Sequence, residues 1–205
     1  MKERTPFVLS SAVYPLSTAS RGWESSRTLE TTTAIFLRKT RFSDTSLIVS
    51  WFTADHGRIK TVVKGALRPK SKFAGALDLF FECEIAFTRS AKSELHTLRE
   101  AILREPRENM RTDFPRVALG SYFVELIEHA TEPEQPAPEL FDLLRRAFAH
   151  LDTKPATRRG MVHFEKELVR FLGIEHPSHS AIISLGRAIH RIPSTRPSLL
   201  ASLPD

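Results

Sequence analysis

The sequence has little of what marks a disulfide-stabilised, membrane-spanning or nucleotide-hydrolysing protein. Cys83 is the single cysteine in 205 residues, which excludes an intramolecular disulfide and suits a reducing compartment. A run of about eighteen apolar residues, the length that a transmembrane helix needs, does not occur, so we predict no membrane partner. Lys70 and Ser71 lack the preceding glycine of a phosphate-binding loop, and nucleotide hydrolysis is therefore not predicted.

Catalytic and metal-binding patterns are also missing. No Ser–His–Asp set and no paired carboxylates stand out, so the sequence predicts a protein that is not an enzyme. His176 and His179 have an H-x-x-H spacing and His190 follows them, but structural zinc sites need four ligands and usually include cysteine. We therefore predict neither a metal nor any other cofactor.

Positive charge is concentrated in one part of the chain. The net charge is +6; residues 33–104 carry 13 Lys and Arg against 7 Asp and Glu, whereas residues 105–175 carry 10 against 13. A basic segment joined to a slightly acidic one indicates an anion-binding module, of the kind that nucleic-acid-binding proteins contain, attached to a part with another task.

The hydrophobic pattern of the basic segment has the period of β-strands. Residues 77–87 alternate between apolar and polar side chains, with Cys83 predicted to face inward, buried and inert, and Phe80 an apolar exception on the outer side. β-Branched and aromatic residues predict strands at 33–41, 45–53, 58–64 and 95–103, with a turn at 55–57 and a loop at 65–75. Five short strands in about seventy residues suit a small barrel.

Beyond residue 104 the spacing of apolar residues becomes helical. It predicts one helix that starts near Asp113 and two more over residues 140–148 and 157–172, with a proline-rich linker at 132–138. The pattern weakens after His176. We therefore predict an α+β protein made of a disordered extension (1–32), a barrel (33–104) and a helical domain with an irregular C-terminal tail (105–205).

A tract of six cations without an intervening acid runs from Arg58 to Lys72. Such a stripe suits phosphates, whose neutralisation releases counterions, although a merely solvated basic face gives the same pattern. Phe42 and Phe73 each follow cations closely and are candidates for stacking on bases, with core packing as the alternative for either ring. The predicted DNA-binding residues are Arg38, Lys39, Arg41, Phe42, Arg58, Lys60, Lys64, Arg68, Lys70, Lys72 and Phe73.

Several stretches resemble the RecO family of recombination mediators. The resemblance covers about residues 33–175 and is weaker in the helical part. It is carried by residues 37–49, 52–57, 63–71, 73–80 and 95–101, which come in the family's order and at its spacing.

The resemblance implies an N-terminal OB-fold and a helical domain in a cytoplasmic, nucleoid-associated protein of DNA repair and recombination. It implies binding of single- and double-stranded DNA, annealing of complementary strands, and help in loading RecA onto single strands coated by the single-stranded DNA-binding protein. The implied partners are RecR and the acidic tail of that coating protein. Candidate residues for receiving the tail are Arg145, Arg146, Arg158 and Arg159.

The sequence departs from the resemblance in two respects, a missing zinc cluster and a chain that ends earlier than the family usually does, and it leaves two other functions open. Many family members carry a four-cysteine zinc cluster after the third helix, and this chain has no cysteine there, so zinc is not predicted. An OB-fold also serves RNA, which keeps an RNA-binding module as an alternative. The other alternative is a protein-interaction adaptor whose helical half does the main work.

Overall fold

The computed structural model describes residues 28–189 and 191–205, and within them the chain forms five strands followed by six helices. The strands are β1 (Leu29–Arg41), β2 (Leu47–Thr53), β3 (Gly57–Val63), β4 (Glu82–Thr88) and β5 (Leu95–Glu105). The helices are α1 (Glu108–Thr112), α2 (Phe114–Ala130), α3 (Pro138–Thr153), α4 (Arg158–Phe171), α5 (Ala181–Ala188) and α6 (Arg196–Ser202). None of these helices is long and apolar enough to cross a membrane.

The strands close into a barrel in the order β1-β2-β3-β5-β4. The long strand β1 closes the barrel because its first half pairs with β4 and its second half with β2, with a register shift between Phe36 and Arg38. β3 and β5 pair in parallel, and the other neighbours are antiparallel. A closed five-stranded barrel followed by helices confirms the predicted α+β class and OB-fold.

The barrel is filled by inward-facing side chains of all five strands. Trp51 is fully buried, meets Phe36 edge-on at 5.4 Å, and donates a hydrogen bond from Nε1 to Thr61 Oγ1 at 2.9 Å. Cys83 is also fully buried, as predicted, and burial raises the pKa of its thiol to about 12. The Cys83 thiol is therefore protonated and is not a nucleophile.

The strand predicted over residues 77–87 is shorter than its alternation indicated. Regular pairing of β4 begins only at Glu82. Phe80 has a left-handed backbone (φ 67°), which turns its ring away from solvent and onto Phe148 of α3 at 5.0 Å. The outer position predicted for Phe80 is therefore wrong, because this side chain fills the junction between the barrel and the helices.

Both ends of the described chain are more regular than predicted. Residues 29–32 belong to β1 and not to a disordered extension; residues 1–27 lie outside the described residues. The predicted irregular tail instead contains α5 and α6. Pro197 lies in the first turn of α6, where its missing N–H costs no hydrogen bond, so this proline does not interrupt the helix.

The helical part packs on the barrel through α3 and through the segment that joins α2 to α3. Phe52 of β2 contacts Phe141 of α3 with ring centres 5.8 Å apart. The backbone N–H of Glu134 donates to the carbonyl of Arg58 at 2.9 Å. Gly57 has φ +65°, and a Cβ there would lie 2.0 Å from the Gln135 carbonyl oxygen, so only glycine fits where the two parts meet.

Candidate nucleic-acid interface

One end of the barrel is formed by the β1–β2 hairpin turn (residues 42–46) and the β3–β4 loop (residues 64–81), and we call it the basic end. The loop consists of consecutive turns, in which the N–H of Arg68 donates to the Gly65 carbonyl and the N–H of Ser71 to the Arg68 carbonyl. Gly65 has φ +72°, a backbone conformation that glycine adopts without strain. The loop is anchored along its length and presents its side chains from a fixed backbone.

Phe73 provides that anchor and is not available to a base. Its side chain is 5 % exposed and packs in the barrel core. Lys72 lies over the same ring, with its Nζ 5.2 Å from the ring centre, and donates to the Arg99 carbonyl at 2.5 Å. The prediction that Phe73 stacks on DNA is therefore corrected, since exposing its ring would open the barrel end.

All four cations of the loop are exposed, and among the described residues only Lys72 has its side chain hydrogen-bonded. Lys64, Arg68 and Lys70 have no carboxylate within ion-pair distance among the described residues. Uncompensated neighbouring cations repel each other and favour a bound anion. They stay candidate phosphate contacts, as predicted from the sequence. Lys64 follows the end of β3 and so belongs to the loop and not to the strand face predicted for it.

The hairpin side of the basic end combines a weakly paired cation with an exposed ring. Arg41 contacts Asp44 at 3.1 Å, and both side chains are largely exposed, so water and salt screen this pair strongly. Phe42 is 57 % exposed. Sequence reasoning missed Leu67, which is 47 % exposed in the first turn of the loop. The sequence feature that could have pointed to Leu67 is an apolar residue within a cationic tract where the alternation of a strand is absent.

Two cations of β1 already have acidic partners. Arg38 contacts Glu128 of α2 at 2.9 Å, and Lys39 contacts Asp78 at 3.4 Å and donates to the Leu77 carbonyl at 3.0 Å. Arg38 faces outward in a row with Ser50 and Lys60 across β1, β2 and β3. Lys60 is exposed in this row, so it stays a candidate contact beside the basic end.

Arg58 is the cation that the structure removes from the predicted set. Its guanidinium donates to Thr131 Oγ1 at 2.9 Å and to the Thr131 carbonyl at 2.5 Å, at the C-terminal end of α2. The residue is partly buried, and this burial lowers its pKa. Arg58 thus holds the helical part on the barrel, and a phosphate would have to displace these bonds to reach it.

A second concave surface lies in the helical part, between α2, α3 and α4, and we call it the helical groove. Its volume is about 610 Å³. The floor is apolar and includes Phe123 and Leu143, and the rim carries Arg146, Arg159 and His163. Of the four arginines predicted to receive an acidic tail, Arg146 and Arg159 line this groove, whereas Arg145 and Arg158 do not.

The four arginines also differ in whether a carboxylate pairs with them. Arg145 and Arg146 both contact Asp142, and Arg158 contacts Asp205. Arg159 has no carboxylate partner among residues 28–189 and 191–205. Arg159 is therefore the rim cation most available to an acidic ligand.

The histidines near the C-terminus do not form a ligand set in the described part of the chain. His176 and His179 stack with ring centres 4.0 Å apart, and His179 Nδ1 lies 3.3 Å from an Arg187 nitrogen. No group of three or more His, Cys, Asp or Glu side chains is placed to hold a metal among the residues described. His190, the third histidine considered above, lies outside the described residues.

A closed five-stranded barrel with a cationic, partly apolar end has the features of an oligonucleotide-binding OB module, here attached to a helical part with its own groove. The chain belongs to the RecO family. Residues 27–107 match the family model for the N-terminal part of recombination protein O, and residues 111–182 match the model for its C-terminal part. The predicted family resemblance is confirmed.

Curated relatives agree with this assignment. The chain is 34 % identical over 140 residues to the DNA repair protein RecO of Rhodopirellula baltica, which covers 68 % of the chain and 52 % of that protein. It is 30 % identical over 149 residues to the RecO of Salinibacter ruber, covering 72 % and 57 %. The chain thus spans little more than half the length of these relatives. Family membership supports a role in DNA repair.

Proposed function

We propose that the chain is a mediator of the RecF pathway of homologous recombination, which binds single- and double-stranded DNA and anneals complementary strands without catalysing a reaction. The observation that carries the proposal is the group of exposed cations without a carboxylate partner among the described residues, Lys64, Arg68 and Lys70, on the hydrogen-bonded β3–β4 loop, together with exposed Phe42 on the β1–β2 hairpin of the same barrel end. Family membership supports the repair context. We further propose that it helps to load RecA onto coated single strands together with RecR.

The chemistry of the basic end fits annealing. Two complementary strands repel each other through their phosphates, and cations held at one surface reduce that repulsion when both strands bind there. Phosphate contacts carry no sequence information, so the surface accepts any complementary pair. The bases remain free to pair because the cations hold only the backbone.

Annealing of labelled complementary oligonucleotides, measured at two salt concentrations, tests this function. We expect the protein to speed annealing at low salt and to lose most of the effect at high salt, because each phosphate contact contributes to the salt dependence. Tight binding of single strands without faster annealing would overturn the mediator proposal and favour a simple OB module. Preference for RNA over DNA of the same sequence would favour the RNA-binding alternative.

We also propose that the helical groove receives the acidic tail of the single-stranded DNA-binding protein. The groove joins an apolar floor at Phe123 and Leu143 to the unpaired cation of Arg159, which suits a peptide with both apolar and acidic side chains. An exposed rim charge contributes to attraction and specificity more than to folding. Arg159 can therefore be changed without disturbing the helices.

Replacing Arg159 with glutamate is expected to weaken binding of a labelled acidic tail peptide about tenfold, equivalent to about 1.4 kcal/mol, because attraction becomes repulsion. Fluorescence anisotropy measures the affinity. Arg187→Glu is the matched control, since Arg187 is exposed on α5 and does not line the groove. Equal affinities for R159E and R187E would place the tail elsewhere. A pull-down with RecR tests the remaining partner and the adaptor alternative.

A further inference from the structure

Phe42 and Leu67 lie on two turns of the basic end that are hydrogen-bonded to each other. The N–H groups of Phe42 and Ser43 both donate to the Ser46 carbonyl, at 3.0 and 3.2 Å, which closes the hairpin turn. Within the same turn, the Thr45 carbonyl accepts the N–H of Leu67 at 3.1 Å. The first turn of the β3–β4 loop is therefore bonded to the turn that carries Phe42.

The exposure of Leu67 does not reflect a loose loop. On one side of it, Ala66 packs against the barrel core, and further along the loop Phe73 and Ala76 are buried. An anchored loop that still presents a large apolar side chain to water loses the free energy that burying that side chain would provide. Phe42 and Leu67 are thus two exposed apolar side chains on hydrogen-bonded turns, and we call them the apolar pair.

The surroundings of the apolar pair determine which ligand suits it. Arg41 precedes Phe42, and Leu67 lies between Lys64 and Arg68 along the chain. A fitting ligand is anionic and also presents flat apolar surfaces. Single-stranded nucleic acid has both, since its unstacked bases expose their faces, whereas a duplex hides those faces and presents phosphates and groove edges.

We infer that the apolar pair contacts the bases of unpaired strands and makes the basic end favour single- over double-stranded DNA. This inference rests on the proposed function and adds separate roles for the cations and for the apolar pair. The cations Lys64, Arg68 and Lys70 bind phosphates of single- and double-stranded DNA alike. The apolar pair contacts only unpaired bases. Annealing then lowers affinity for the product, which releases the duplex.

The double variant Phe42→Ala, Leu67→Ala tests the inference. We expect affinity for a single-stranded oligonucleotide to fall about tenfold, the usual effect of losing one or two base contacts, and affinity for the matching duplex to stay within about twofold. The salt dependence of single-strand binding should not change, because no charge is removed. Phe114→Ala, Ile183→Ala is the control, since it removes two exposed apolar side chains from the helical part.

A direct contact probe complements the affinities. Phe42→Trp keeps an aromatic ring in place, so we expect single-strand affinity to be retained and the added fluorescence to be quenched by single strands but not by duplex. Phe114→Trp, exposed on the helical part, should show no quenching. Equal losses for single strands and duplex in the double variant, or no loss for either, would overturn the inference.

These outcomes separate the inference from the proposed function. If the alanine variants of Lys64, Arg68 and Lys70 weaken binding while the double variant does not, the cations act as proposed and only the inference fails. If the unaltered protein binds neither form of DNA, the proposed function fails, and the inference falls with it.

Discussion

Replacing Lys64, Arg68 and Lys70 together with alanine is expected to lower single-strand affinity about a hundredfold at 0.1 M salt. Each phosphate contact to a single strand contributes about 0.7 to the slope of log affinity against log salt, so three lost contacts reduce the slope by about 2. If the altered and unaltered proteins bind equally at 1 M salt, a slope that is smaller by about 2 gives a hundredfold lower affinity at 0.1 M, one decade below. Fluorescence anisotropy over a series of salt concentrations measures both quantities.

The matched control removes the same charge from a different place. Lys154, Arg187 and Arg191 are exposed on the helical part, and changing all three to alanine also lowers the net charge by three. If binding responded only to net charge, both triple variants would lose the same affinity and slope. That result would contradict the assignment of the basic end, as would an unchanged salt slope in the first variant.

The helical part explains why DNA binding is assigned to the barrel end. OB-folds commonly bind oligonucleotides across the face of strands 2 and 3. Here part of that face is covered, because Phe52 packs on Phe141 and Arg58 is bonded to Thr131. Arg38, further along, is paired with Glu128. Lys60 and the basic end are left for an anionic ligand.

Local sequence patterns predicted the strands, the helices α2, α3 and α4 and the basic tract, because each depends on residues close together in the chain. They did not separate Phe42 from Phe73, although both follow cations. The difference is tertiary: Phe73 lies in a loop that turns back into the barrel mouth, whereas the hairpin carries Phe42 outward. A cationic neighbour alone does not indicate whether a ring is exposed.

The partners of Arg58 illustrate the same limit for charged residues. Its spacing with Lys60 correctly indicated a common outer face of β3. Thr131, which accepts the hydrogen bonds of Arg58, follows 73 positions later in the chain, and no local pattern connects the two residues. The buried pair of Glu82 and Arg107 was equally invisible, and alternation had placed Glu82 on the outer side of β4.

Replacing Glu165 of α4 with alanine is expected to destabilise the protein by about 3–5 kcal/mol, because it leaves a largely buried arginine without its counter-charge. Glu165 is 1 % exposed, accepts a hydrogen bond from the Tyr122 hydroxyl at 2.6 Å, and pairs with Arg196 of α6 through two bonds at 2.7 and 2.9 Å. Urea denaturation followed by circular dichroism measures the change. Glu167→Ala on the same helix breaks only an exposed pair with Arg170 and should leave the midpoint nearly unchanged. If the two variants unfolded at the same urea concentration, the Glu165 cluster would not be what fixes α6 to α2 and α4.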